Sequence, residues 1–205
     1  MTTKERIVYE ALTLFSRKGY RGTSVKDIAD AVGVKDSSLY KHFKSKQEIL
    51  DGIVAAIREH IEKNSERFGL PTGDDLAMAA EYYAELDRER LIAFSRSIFL
   101  FYLQDDLLSK FWRMGVMEQY HNEPVYTLFR QLFMEDSIAY QTALFAEMSR
   151  RNVFIEADPA VMAVSFYTPI FFLLSKYLGI EGGEEKALAI LDKQVAEFYR
   201  IYKKE

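Results

Sequence analysis

The sequence has no cysteine, three histidines, four prolines and ten glycines in 205 residues. Without cysteine there are no disulfides, thiolate nucleophiles, zinc fingers or iron–sulfur clusters, and the chain suits a reducing compartment. His42, His60 and His121 are widely spaced, so no histidine-built metal site is expected, and no cofactor. The shortage of proline and glycine argues against disorder, collagen-like repeats and a turn-dense β-sandwich. Sustained apolar/polar alternation, internal repeats and low-complexity tracts are also lacking. Lys4, Glu5 and Arg6 precede only a short mixed stretch before Glu10, so no signal peptide is expected and the location read is cytoplasmic.

What is present is a chain that is 49% hydrophobic and 28% charged, rich enough in apolar surface for a proper core. The net charge of −4 argues against indiscriminate coating of nucleic acid, but it is unevenly spread. Residues 1–50 hold 10 Lys/Arg against 6 Asp/Glu, and the remaining 155 hold 17 against 25. A basic head on an acidic body implies that one end meets an anion. Residues 159–175 form a run of 17 uncharged residues, near the length of a membrane span. Ser165, Tyr167, Thr168 and Pro169 dilute it, and Asp158 and Lys176 bound it, so a helix at a core or subunit interface is the better reading.

The dominant period is helical. Ile7, Val8, Ala11, Leu12, Leu14 and Phe15 share a face, and Gly19 stands where a left-handed cap is wanted. Thr23 and Ser24 offer N-cap oxygens to a second helix with Ile28, Ala29 and Val32 on its buried side. A third is expected over about Asp36 to Phe43, and Ser45 to Glu48 forms a capping box opening a longer fourth. Gly69 to Gly73 reads as a linker, with helix four bridging the two halves before it. Further helices are expected at about 75–87, 89–103, 106–119, 124–152 (broken near Asp136), 159–178 and 183–202. The expectation is an all-α fold of about nine helices, with a small N-terminal head over 1–48 joined to a larger helical domain over 49–205.

The informative stretch is 24–46. Two short helices flank a tight turn at Val32-Gly33-Val34, where Ala29 permits close approach and Gly33 permits positive φ. That is a helix-turn-helix, whose second helix fits a major groove about 12 Å wide. Lys35, Ser37, Ser38 and Lys41 are placed to meet base edges, and Tyr40, His42, Lys44 and Lys46 to reach phosphates. Each has a plainer reading: Leu39 and Phe43 are core, and a lone lysine or histidine is usually a solvated side chain. Turn geometry, charge and helix ends coincide within about twenty residues, and that coincidence carries the assignment.

The stretch Thr23-Ser24-Val25, Ile28-Ala29, Val32-Gly33-Val34 and Leu39 through Lys46 resembles the DNA-binding head of the TetR family of bacterial transcriptional regulators. The likeness covers about residues 5–52. It implies that Tyr40, His42 and Lys46 hold phosphates, that the Thr23-Ser24 helix start adds another contact, and that Lys35, Ser37, Ser38 and Lys41 read bases. Many members have serine at the position of Lys35, where it caps the recognition helix; here Asp36 or Ser37 must cap, and Lys35 is freed for DNA. The resemblance also implies a homodimer through about 159–178 and 183–202, binding a pseudo-palindromic operator, with a small-molecule pocket in the middle helices. Twelve aromatics lie between Tyr82 and Phe133, including Tyr120 and Phe133. Phe99, Tyr102, Phe111, Trp112 and Tyr126 are the candidate lining residues, with Tyr102, His121, Tyr126 and Arg130 as polar handles.

Two rivals are weighed. An enzyme would have to use the acid pairs Asp74-Asp75 or Asp105-Asp106, but neither has a third acid at i+4, and no catalytic motif appears. A helix-turn-helix dimer with a structural role in the nucleoid or cell division would share the head but not a closable pocket. The reading is a ligand-responsive repressor released by a small hydrophobic or aromatic effector.

Overall fold

The computed structural model describes residues 1–67 and 76–204, with side chains at 65–67 left aside. The linker expected over Gly69 to Gly73 and the pair Asp74-Asp75 lie outside the described residues. The elements are α1 (Thr3–Lys18), α2 (Val25–Val32), α3 (Asp36–Leu39), α4 (Lys46–Arg67), α5 (Leu76–Ala84) and α6 (Arg88–Gln104). They continue with α7 (Asp106–Glu118), α8 (Glu123–Arg130), a π-helical turn (Gln131–Glu135), α9 (Asp136–Arg150), α10 (Pro159–Tyr177) and α11 (Glu184–Tyr202). Among the described residues the fold is all-α, with eleven α-helices. The helix expected over 124–152 is two helices joined by the π turn, which lies just before Asp136.

The chain forms two compact units, Met1–Lys63 with Asp106–Arg130, and Asn64–Asp105 with Gln131–Glu205. Packing divides the chain at points other than the boundary expected after residue 48, because α7 lies against α1 and carries α8 with it.

In the first unit, α1 opens with a capping box between Thr2 and Glu5 and ends at Gly19 with φ 76°. Ile7, Ala11, Leu12 and Phe15 form its buried face. A polar contact fixes α7 to α1: the Lys110 ammonium donates to Asp106 Oδ2 at 2.5 Å and to the Tyr9 hydroxyl at 2.7 Å, while lying 4.0 Å from the Tyr9 ring centre. At the other end of α7, Glu118 Oε1 accepts the Tyr20 N–H at 2.7 Å. Gly115 is required by packing, because a Cβ there would stand 2.4 Å from the Phe129 ring.

In the second unit, Asp87 caps α6 by accepting from the Arg90 N–H at 2.8 Å. Asp158 caps α10, accepting from the Ala160 N–H at 2.8 Å, with Pro159 in the first turn where no N–H is needed. The core is a ring cluster in which Phe198 meets Phe166 at 4.8 Å, Phe145 at 5.3 Å and Phe154 at 6.0 Å between centres. The segment after α11 is pinned beside residues 153–155: the Lys204 N–H donates to Val153 O at 3.0 Å, and the Ile155 N–H to Tyr202 O at 2.9 Å.

Candidate nucleic-acid interface and effector cavity

Short-range chemistry builds the helix-turn-helix in the first unit. Ser24 Oγ accepts the Asp27 N–H at 3.0 Å, and the Asp27 carboxylate takes the Ser24 O–H at 2.6 Å and N–H at 2.7 Å. These bonds hold the Asp27 carboxyl below its ordinary pKa. Gly33 ends α2 in the left-handed region (φ 76°, ψ 35°), and the Val34 N–H turns back to Ala29 O at 3.0 Å. Arg6 fastens α1 to this turn by donating to the Val32 carbonyl.

The second helix is shorter than expected. It spans Asp36–Leu39, after which the chain tightens: the His42 N–H reaches Leu39 O at 2.9 Å and the Phe43 N–H the same oxygen at 3.1 Å. Lys35 occupies the N-cap position and makes no side-chain cap bond. Leu39 and Phe43 are buried, while Lys35, Ser37, Tyr40, Lys41, His42 and Lys44 are exposed and Ser38 is half-buried.

Three residues expected at DNA have further internal roles. Thr23 is 1% exposed, and its hydroxyl donates to Gly19 O at 3.0 Å, so only its backbone faces the helix start. Lys46 donates to Tyr20 O at 2.8 Å and Thr23 O at 3.0 Å and lies 4.3 Å from the Tyr20 ring centre. Burial lowers its pKa, against the opposing pull of Glu118. With two of its three donors engaged, one remains for an anion. Lys44 presents its backbone N–H to the Glu48 carboxylate while the Glu48 N–H donates to Ser45 Oγ at 3.1 Å. The expected capping box is thus displaced by one residue on its carboxylate side.

The second unit contains a cavity of about 240 Å³ walled by α5, α6, α9, α10 and α11. Among the described residues, no Asp, Glu, Arg or His lines it. Its polar groups are chiefly tyrosines, one amide and one ammonium. Burial raises the phenol pKa values of Tyr83, Tyr102 and Tyr140, and pushes Tyr167 up to about 12, which keeps all four neutral. Tyr167 donates to Phe133 O. Gln141 Oε1 is buried without a hydrogen-bond partner, and Lys203 donates to Ala84 O at 2.7 Å.

The family model for bacterial regulatory proteins of the tetR family matches residues 7–53, which contain the whole helix-turn-helix. Residues 7–53 are thus a TetR-type DNA-binding head. The negative transcriptional regulator IcaR of the Staphylococcus aureus (strain Newman) biofilm operon is 45% identical over 58 residues, covering 28% of this chain and 31% of IcaR. The chain therefore aligns with less than a third of that curated relative's length. Among solved structures, a TetR transcriptional regulator from Chloroflexus aurantiacus has a TM-score of 0.69 at 20% identity, over 99% of this chain and 97% of that one. AibR in complex with isovaleryl coenzyme A and operator DNA has a TM-score of 0.60 at 19% identity, over 98% of each chain. At such identities the likeness establishes a shared fold.

Behind the TetR-type head, the expected pocket residues divide between the units. Phe99 and Tyr102 line the cavity. Phe111, Trp112, His121, Tyr126 and Arg130 belong to the first unit and do not line it. Phe111 and Trp112 are buried there; Trp112 meets Phe129 edge-on at 5.2 Å, and Tyr126 stacks on Phe129 at 5.9 Å. His121 and Arg130 are exposed. The cavity instead uses Tyr83, Tyr140, Gln141, Tyr167 and Lys203, which sequence reasoning missed. Tyr167 had a signal, as a polar ring inside the uncharged run; Tyr140 and Gln141 sit one turn before Leu144 and Phe145 on α9, a weaker sign. The acid pair Asp105-Asp106 is not free for a metal, because Asp106 accepts from Lys110 and Tyr9.

Proposed function

We propose that this chain is a ligand-responsive transcriptional repressor in the cytoplasm, binding a pseudo-palindromic operator as a homodimer and released by a small hydrophobic or aromatic effector. The observation that carries this reading is an apolar cavity of about 240 Å³ in the same chain as an exposed, basic helix-turn-helix. A structural DNA binder has no use for such a cavity. Lys35, Ser37, Ser38 and Lys41 meet bases; Tyr40, His42, Lys44 and the remaining Lys46 donor meet phosphates, with the Thr23-Ser24 backbone beside them. That AibR is solved with both an acyl thioester and operator DNA supports the pairing of the two sites.

The dimer surface is α10 with α11. By length and composition α10 is apolar enough to cross a membrane, yet only 22% of its apolar window is buried in the monomer. Val161, Val164, Thr168 and Phe172 are exposed at helical spacing along one side, with Val161 at 58% and Phe172 at 56%. Such a stripe fits a second copy of the chain. Two recognition helices must lie about 34–36 Å apart to enter successive major grooves. A ligand favouring a wider form by ~2–3 kcal/mol lowers DNA affinity roughly 30- to 150-fold.

Fluorescence anisotropy on the chain's own upstream DNA and on a scrambled duplex, across a salt series, tests this reading. Specific binding should be at least ~10³ tighter than to the scrambled duplex. Tyr40→Phe should weaken it without changing the salt slope, because a neutral donor is lost. Lys46→Ala should weaken it and lower the slope by about one. Equal affinity for both duplexes would favour the structural binder, and a monomer mass by light scattering would remove the dimer.

A further inference from the structure

Beside the cavity lies a surface groove lined by Arg88, Lys193, Arg200, Lys203 and Lys204, with Glu197 its one carboxylate among the described residues. Cavity and groove share Tyr199 and Lys203, so Lys203 stands where apolar interior meets cationic surface. Arg200 is paired with Glu197 and Arg88 with Glu89. Lys193, Lys203 and Lys204 have no carboxylate partner among the described residues; Lys204 contacts the Asn152 amide oxygen and Lys203 a backbone carbonyl. Burial lowers the Lys203 pKa. A half-buried ammonium with no counter-ion at the edge of a chamber free of carboxylates is a site that gains from an anion.

We propose, building on the effector reading above, that the cavity takes an amphipathic anion: an apolar tail inside, and a head bearing more than one negative charge at Lys203, Lys193 and Lys204. The tail length follows from volume. A cavity of about 150 Å³ holds benzene, so about 240 Å³ holds a tail of about ten carbons. One lysine suffices for a carboxylate; three without acidic partners suit a phosphorylated head. Lys203 is held in place for this role, since backbone bonds fix the residues on either side of it to 153–155. Organic cations are disfavoured, as none of the described residues lining the cavity carries negative charge.

The test is calorimetric titration of the full chain with decan-1-ol, decanoate and decyl phosphate, which share a tail and differ in head charge. Affinity should rise in that order, with decyl phosphate about tenfold or more tighter than decanol, and added salt should weaken only the anions. Lys203→Met should abolish the preference, and the exposed pair Lys193→Ala/Lys204→Ala should weaken decyl phosphate more than decanoate. The pair carries the test if Lys203→Met fails to fold. Equal affinities for all three probes, or a preference that survives both variants, would overturn the charged-head inference while leaving the cavity as an effector site. Binding of none of the three would remove the effector reading along with it.

Discussion

In the first unit, polar side chains tie one helix to another: Lys110 joins α7 to α1, Glu118 holds the Tyr20 amide, and Lys46 closes the turn before α2. In the second unit the ring cluster surrounds space, and among the described residues Gln141 Oε1 is unpartnered and Lys203 meets a backbone carbonyl and no acid. The first arrangement suits a part whose geometry must be constant, because groove entry tolerates little error. The second suits a part whose packing is completed by something else. A packed core with a void has lining atoms that lack neighbours on one side, and a ligand restores those contacts.

The largest test of this difference compares two phenylalanines. Phe129→Ala should cost about 3–5 kcal/mol, because Trp112, Tyr126 and the Gly115 backbone close around the ring. Phe145→Ala should cost nearer 3 kcal/mol, since its ring already borders empty space. Denaturant melts of both variants measure the gap. A larger loss for Phe145 would mean that the second unit is no more loosely packed than the first.

The same contrast explains what could be read in advance. The helix-turn-helix was legible because its determinants are local: Ser24 caps within three residues, Gly33 takes a positive φ, and Leu39 and Phe43 turn inward at i, i+4. The division of residues 106–130 from the cavity was not legible. Aromatics at helical spacing look alike whether they meet α1 or face a void, and only the long-range packing of α7 on α1 assigns Phe111, Trp112 and Tyr126 to the first unit. Lys203 was invisible for a similar reason, as its position depends on pairing with a segment nearly 50 residues earlier in the chain.

An intermediate effect is expected at Lys110. Asp106 has its pKa lowered, mainly by the Lys110 hydrogen bond, and Lys110 has its own raised because bonds to Asp106 and Tyr9 outweigh the burial that opposes them. A depressed carboxyl pKa contributes stability above the unfolded value of 3.8, and loses it as pH falls through the folded value. Lys110→Met should therefore destabilise the protein at neutral pH and flatten its acid dependence just below 3.8. Denaturant melts on either side of that pH check it; an unchanged acid limb would show that the contact contributes packing alone.

The smallest effect expected is at Lys35, where the first unit departs from its own pattern. Thr2 and Ser24 both cap their helices, but Lys35 at the N-cap of α3 makes no side-chain cap bond. A serine there would satisfy a free amide, so Lys35→Ser should stabilise by about 0.5–1 kcal/mol in a thermal melt. It also removes a cation from the surface proposed to meet bases, and the salt slope of DNA binding should fall by up to about one. Gain in stability with loss of specific affinity would mean that the missing cap serves recognition. If both rise together, Lys35 has no part in DNA contact and the open helix start is merely an unused stabilising position.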